Sequence, residues 1–105
     1  MYIIATRSFP PDVGGMQSLM WGLSKEMSKN FMIKVFADYH ENHKEFDGDV
    51  NFSIERVGGI KFLRKIRKAQ LINEFLKNSK VQGIIADHWK SLELIKSSRK
   101  KYCLS

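Results

Sequence analysis

The chain alternates between short apolar runs and amphipathic segments, which predicts strands and helices in turn. Residues 2–5 form a continuous apolar run, as expected of a strand that is buried on both faces. Segments of similar character predict further strands at 32–37, 52–57, 81–86 and 102–104. A helix is predicted from Met16 to about residue 28, because apolar residues recur there at helical spacing: Met16, Leu19, Met20, Leu23 and Met27.

The clearest helix prediction covers residues 61–79. Its apolar positions follow a 3.6-residue period and define an expected buried stripe: Phe62, Ile66, Ala69, Ile72, Phe75 and Leu76. A last, shorter helix is predicted after Ser91 as N-cap, with Leu92 and Ile95 facing the core. Residues 38–49 are polar and acidic and predict a loop, and Gly58-Gly59 predict a turn.

The order of these elements predicts the fold class. Strands that alternate with helices favour an α/β fold, here a Rossmann-like, doubly wound and mostly parallel sheet with helices on both faces. Ligands of such folds bind beyond the carboxyl ends of the strands. Two segments are expected at that edge, residues 8–15 after the first strand and residues 87–90 after the fourth.

The distribution of charge changes the picture of possible partners. The chain has 18 Lys/Arg and 11 Asp/Glu, a net charge of +7. Residues 1–59 carry six basic and eight acidic side chains, whereas residues 60–105 carry twelve and three. Any anionic partner of the chain is therefore expected to contact its second half.

Four basic residues in the first two turns of the long predicted helix are candidates for such contacts: Lys61, Arg64, Lys65 and Lys68. An anionic membrane surface attracts a cluster of this kind. Nucleic acid is a less suitable partner, because aromatic side chains for base stacking are not interleaved on the exposed face. A solvated, lysine-rich face with no partner is the third interpretation.

Cysteine content and hydropathy exclude several classes of protein. The single cysteine, Cys103, cannot form a disulfide within the chain or a cysteine-rich zinc site, and we expect it in the core of the last strand. The longest apolar runs are far shorter than the roughly 20 residues of a membrane span. Arg7 interrupts the apolar opening, which does not fit a secretory signal, so a cytoplasmic location is expected.

The candidate binding residues lie in the two loops at the expected carboxyl edge. Gly14 and Gly15 lead into the first helix, where free N–H groups and the helix dipole favour a phosphate, although a tight turn would equally explain them. The sequence has neither a dinucleotide fingerprint nor a P-loop. His88 could contact a sugar or phosphate or transfer a proton, or it could simply be a loop histidine bonded to Asp87.

Other constellations carry weaker signals. His40 and His43 lie close to two glutamates in the acidic segment, where a metal site is conceivable, although we expect none. No serine, histidine and aspartate set and no cysteine and histidine pair has the spacing of a known nucleophilic motif.

These segments together resemble the start of family 4 glycosyltransferases. The resemblance is carried by the first strand and the proline-rich loop with Gly-Gly and Gln17 at 9–17, the helix that closes with residues 23–27, the strand at 33–36, and the strand at 83–89 with its histidine-containing loop. It follows element order over essentially all 105 residues. The proline-rich loop is its most specific part.

The resemblance implies half of a GT-B enzyme, in which two Rossmann-like domains face a cleft. Such enzymes transfer a sugar, with retention of configuration and usually without a metal or other cofactor, from a nucleotide-diphosphate sugar to a glycan or lipid acceptor. By this analogy Gly14 and Gly15 would contact the donor diphosphate, and Gln17 and His88 would face the acceptor or the transferred sugar. Many members are peripheral membrane proteins, which favours the membrane interpretation of the basic helix.

The resemblance also implies a second, donor-binding domain with a pair of glutamates, which is not among these residues. We therefore expect residues 1–105 to be part of a longer hexosyltransferase, acting in cell-envelope polysaccharide or glycolipid synthesis, and to be inactive alone. Two alternatives from other classes remain open: a stand-alone, flavodoxin-like module that binds a phosphate ligand, and a basic domain that associates with membranes or nucleic acid.

Overall fold

A single parallel sheet of five strands organises the computed structural model, which describes residues 1–104. In chain order the elements are β1 (Tyr2–Ala5), α1 (Gly15–Ser28), β2 (Ile33–Asp38), α2 (His43–Gly48), β3 (Ser53–Val57), α3 (Lys61–Lys77), β4 (Gly83–Ala86), a 3₁₀ turn (Trp89–Leu92) and β5 (Lys100–Cys103).

The strand order is β3-β2-β1-β4-β5, with β1 at the centre. Tyr2 of β1 is in register with Ile33 of β2 on one side and with Gly83 of β4 on the other. The chain therefore builds the sheet outwards from β1 in one direction and then returns to extend it in the other. This is the order of a doubly wound α/β fold, and it confirms the predicted fold class.

Two apolar cores, one on each face of the sheet, hold the helices in place. On one face Ile4, Val35 and Ile85 pack with Met20 of α1 and with Phe46 of α2. On the other face α3 packs against the sheet through buried apolar residues: Ile3, Ala5, Phe36, Ala69, Ile72, Leu76 and Ile84. Because α1 and α3 lie on opposite faces, both faces of the central strand are covered.

Most of the predicted helix stripes are confirmed, with one error in each. In α1, Leu19 is 51% exposed, because the face turned to the sheet is centred on Met20 and on the buried Ser24. In α3, Phe62 is 70% exposed, because the first turn of the helix lies beside an open pocket at the sheet edge.

Three further expectations about elements were wrong. The acidic segment contains the short helix α2, which is held by Phe46 packed on Trp21. The helix expected after Ser91 is a 3₁₀ turn, and its N-cap is His88. Cys103 is exposed, because β5 is a border strand whose residues are all exposed.

Candidate functional site

The carboxyl ends of the strands converge on one edge of the sheet, where the strand order changes direction between β1 and β4. The loops that follow these two strands diverge there, which leaves a crevice in doubly wound folds. The glycine loop, residues 8–15, follows β1, and the segment with Asp87 and His88 follows β4. The predicted loops therefore do lie at the same edge of the sheet.

The glycine loop is fixed at its start by buried and hydrogen-bonded groups. The hydroxyl of Thr6 accepts a hydrogen bond from the Ser8 N–H at 3.0 Å, and Phe9 is buried in the core below α1. Nη2 of Arg56, on β3, donates to the carbonyl oxygen of Pro10 at 2.6 Å. The course of the loop toward α1 is therefore set by Thr6, directly after β1, and by Arg56 of β3.

Gly14 and Gly15 form the exposed beginning of α1. Gly14 is the N-cap, and within residues 1–104 no side chain caps the helix, so its first N–H groups keep their hydrogen-bonding capacity. A Cβ atom added to Gly14 would lie 2.3 Å from Oε1 of Gln17, whereas one added to Gly15 would meet no described atom within 4 Å. Space above Gly15 is therefore open to a ligand.

Gln17 belongs to the same cluster as the two glycines. Its side-chain nitrogen donates to Oδ2 of Asp12 at 2.9 Å, and the other carboxylate oxygen of Asp12 accepts from the Val13 N–H. This pair links the loop to the first turn of α1. It also places a carboxylate near the glycines, which adds negative charge next to the predicted phosphate position.

His88 has a structural contact that the sequence did not indicate. Its Nδ1 accepts a hydrogen bond from the Lys90 N–H at 3.1 Å, and its ring lies against that of Trp89. The pairing of His88 with Asp87, considered from sequence, is wrong. Asp87 is 2% exposed and accepts instead from the Arg7 N–H and the Ser91 hydroxyl, which ties the loop after β4 to the end of β1.

A pocket of about 360 Å³ opens on the α3 side of the same edge. We call it the basic pocket, because six basic side chains from three parts of the chain line it: Arg7, Lys61, Arg64, Lys65, Lys68 and Lys90. Asp38, at the end of β2, is its one lining carboxylate among the described residues, and Phe62 and Ala69 add apolar surface.

Lys68 forms the inner wall of the basic pocket. Only 5% of the residue is exposed, and its Nζ donates to the Thr6 carbonyl oxygen at 3.0 Å and to Oδ1 of Asp38. Burial lowers the pKa of Lys68, and the neighbouring Asp38 opposes that shift without cancelling it. The expectation that Lys68 belongs to a membrane-facing surface was wrong, because its ammonium group lies inside the fold.

The other basic candidates do reach the surface of the pocket. Lys61 is exposed, Lys65 pairs with Glu93 at 3.0 Å, and Arg64 lies 3.5 Å from Oδ2 of Asp38. The sequence indicated these residues as basic, but it did not indicate that Arg7 and Lys90 join them. The available signal was that both residues lie in the segments that follow two neighbouring parallel strands.

The histidines of the acidic segment have structural contacts. Nδ1 of His43 lies 3.1 Å from Oδ2 of Asp47, which also pairs with the buried Arg56, and Nδ1 of His40 accepts from the Asn42 N–H. Among residues 1–104 no three His, Cys, Asp or Glu side chains converge on a common metal position.

Within residues 1–104, every helix is too short or too polar to cross a bilayer.

Comparison with known proteins adds no family to this description. No protein-family model matches the chain, and a search of the curated proteins finds no match. The resemblance to family 4 glycosyltransferases therefore stays a prediction from the sequence.

Proposed function

We propose that the chain is the N-terminal, acceptor-side domain of a nucleotide-sugar-dependent glycosyltransferase of the GT-B type. In this proposal the glycine loop contacts the diphosphate of the donor, and the enzyme transfers a sugar to a glycan or lipid acceptor at the inner face of a membrane. A second domain supplies the donor-binding residues, so residues 1–105 alone do not catalyse the transfer.

The open, uncapped start of α1 carries the proposal. The first residues of α1, from Gly15 on, present N–H groups at the positive end of a 14-residue helix. The loop that leads to them follows the central strand, beside the point where the strand order changes direction. A diphosphate is a suitable ligand there, because backbone N–H groups and the helix dipole both favour an anion. In this proposal Gln17, whose side chain lies against Gly14, contacts a sugar next to that diphosphate.

A titration with pyrophosphate tests the diphosphate role without requiring catalysis. We expect shifts of the backbone amide resonances of Gly15 and Met16 in ¹⁵N-labelled protein. The Gly15→Val variant should bind pyrophosphate at least about tenfold more weakly, because the new side chain covers the N–H groups that the anion needs. The fold should be kept, because an added Cβ at Gly15 meets no described atom within 4 Å.

Gly22→Val is the matched control, since Gly22 lies on the same helix and its added Cβ also meets no described atom within 4 Å. Equal binding by the Gly15→Val variant would remove the diphosphate role. An equal loss in the Gly22→Val variant would show that helix stability, and not the open loop, controls binding.

A membrane surface is a second candidate, favoured by exposed apolar residues at the beginning of α3. Ile60 is 69% exposed and Phe62 70% exposed, and both adjoin the exposed Lys61. Apolar side chains flanked by lysines match the interface of an anionic bilayer, where each basic residue contributes about 1 kcal/mol. This surface would hold the domain at the membrane that carries a lipid acceptor.

Sedimentation with phosphatidylglycerol vesicles tests the membrane surface. Phe62→Ser should weaken vesicle binding by about tenfold, because the ring no longer enters the apolar layer. Met32→Ser is the control, since Met32 is 72% exposed but precedes β2 at the opposite edge of the sheet. Equal losses in the two variants would exclude a specific surface at α3.

A further inference from the structure

The basic pocket has more basic side chains than carboxylates to pair with them. Among the described residues the carboxylate of Asp38 lies against both Arg64 and Lys68, and Glu93 pairs with Lys65. In the same part of the chain no carboxylate pairs with Arg7, Lys61 or Lys90. Three cations from three different segments therefore surround one opening without a counter-ion.

One buried donor in the pocket wall is also unsatisfied. Within residues 1–104, Nε of Arg64 is shielded from solvent and has no hydrogen-bond partner, although Oδ2 of Asp38 lies 3.5 Å away. The group that faces this donor is the carboxylate of Asp38, and Nε itself is closed to solvent, so Nε does not contact a ligand in the pocket.

The size and lining of the pocket indicate more than a bare ion. Its volume of about 360 Å³ lies in the range of small-molecule sites, which begins near 300 Å³. Phe62, which lines the pocket and is largely exposed, offers an aromatic face at the opening. A ring on the ligand could pack on that face while an anionic group reaches the cations.

We infer that the basic pocket binds the phosphomonoester group of a small, ring-bearing molecule. A phosphomonoester carries close to two negative charges at neutral pH and several acceptor oxygens, which suits the three unpaired cations Arg7, Lys61 and Lys90. The inference does not depend on the proposed function, because the glycine loop contributes no residue to this pocket.

Phenyl phosphate is a direct probe, with phenyl sulfate and inorganic phosphate as matched comparisons. Phenyl sulfate keeps the shape but has a single charge, and inorganic phosphate lacks the ring. We expect phenyl phosphate to shift the amide resonances of Arg7, Lys65 and Lys90, and to bind more tightly than either comparison. Equal binding of all three would overturn the inference, because it would show unspecific attraction.

The Lys61→Gln/Lys90→Gln double variant tests the location. This variant should bind phenyl phosphate at least about tenfold more weakly, because two of the unpaired cations are lost. A Lys44→Gln/Lys80→Gln variant removes the same charge from exposed positions outside the pocket and should change affinity less than about twofold. Equal losses in both variants would overturn the assignment.

Vesicles distinguish a soluble ligand from a lipid head group. Phosphatidic acid carries a phosphomonoester, whereas phosphatidylglycerol carries a phosphodiester. Binding of phenyl phosphate in solution, lost in the Lys61→Gln/Lys90→Gln variant, supports a soluble ligand. Preference for phosphatidic acid over phosphatidylglycerol vesicles, lost in the same variant, assigns the group to a lipid. If neither probe binds in this pattern, the inference is wrong. Gly15→Val should leave the binding of phenyl phosphate unchanged. Failure of the phosphomonoester inference is therefore distinguishable from failure of the proposed diphosphate role.

Discussion

Lys68 carries its ammonium group inside the fold, where Asp38 and a backbone carbonyl oxygen hold it. It stands in a run of basic residues, which favours an exposed position, yet it lies four residues before Ile72 on the buried face of α3. The ammonium group is held inside by Asp38 and by the carbonyl oxygen of Thr6, neither of which is close to it in sequence. Helical spacing could have indicated its burial, but its partners became visible only with the sheet.

The lowered pKa of Lys68 predicts a pH dependence of stability. Between that lowered value and the unfolded value of 10.5, the unfolded chain binds more protons at this site than the folded chain. The contribution of Lys68 to the free energy of unfolding should therefore rise with pH across this window. We expect the stability of the wild-type protein relative to Lys68→Met to increase as the pH rises toward 10.5, measured by urea unfolding. A constant difference would show that the pKa of Lys68 is equal in both states.

Arg56 is expected to position the glycine loop. Its guanidinium group contacts the Pro10 carbonyl oxygen and both carboxylate oxygens of Asp47, and its side chain is only 4% exposed. Arg56→Lys cannot make these forked contacts and should lower the free energy of unfolding by about 2 kcal/mol. It should also weaken pyrophosphate binding at Gly15. Arg67→Lys is the control, because exposed Arg67 makes a single contact to a backbone carbonyl, and its cost should stay below about 0.5 kcal/mol. Similar costs in the two variants would contradict a positioning role.

At the scale of elements, the segments with strong apolar periodicity were predictable and the short ones were not. The first four strands and both long helices lie close to their predicted bounds, because their buried faces repeat over several turns or residues. The strand predicted at 102–104 is β5 (Lys100–Cys103), which has no buried residue. The helix α2 has only Phe46 to place on the core, so no periodicity reveals it. The 3₁₀ turn at Trp89–Leu92 differs from the predicted helix, because Ser91 is bonded to Asp87 and not to a helix start.

Phe46 should therefore determine whether α2 forms. The centroid of its ring lies 4.9 Å from that of Trp21 and 6.2 Å from that of Phe9, and both pairs have edge-to-face geometry. Phe46→Ala should lower the free energy of unfolding by about 2 kcal/mol, less than for a fully buried ring, because Phe46 is only partly buried. Amide exchange within His43–Gly48 should accelerate more than exchange in β2. Uniform acceleration in both elements would show that α2 is not separately held by this contact.

At the scale of the whole molecule, the fold gathers residues that are far apart in sequence into one charged opening. Composition placed the excess charge in residues 60–105, and the order of elements placed two loops at the carboxyl edge. Neither could show that Arg7, from the other half of the chain, joins Lys61 and Lys90 around the same pocket. This convergence follows from the parallel pairing of β1 with β4, which is a property of the complete sheet.

The cost of this arrangement to stability leads to a prediction on α3. Lys61 occupies the first turn, at the positive end of the helix dipole, and no acidic residue balances it there. Lys61→Glu should raise the free energy of unfolding by about 0.5–1 kcal/mol while it weakens phenyl phosphate binding. Lys77→Glu, in the last turn of the same helix, should have the opposite effect on stability and leave binding unchanged. If Lys61→Glu also destabilised the protein, the cations at the beginning of α3 would serve the fold, and stability alone would explain why they are there.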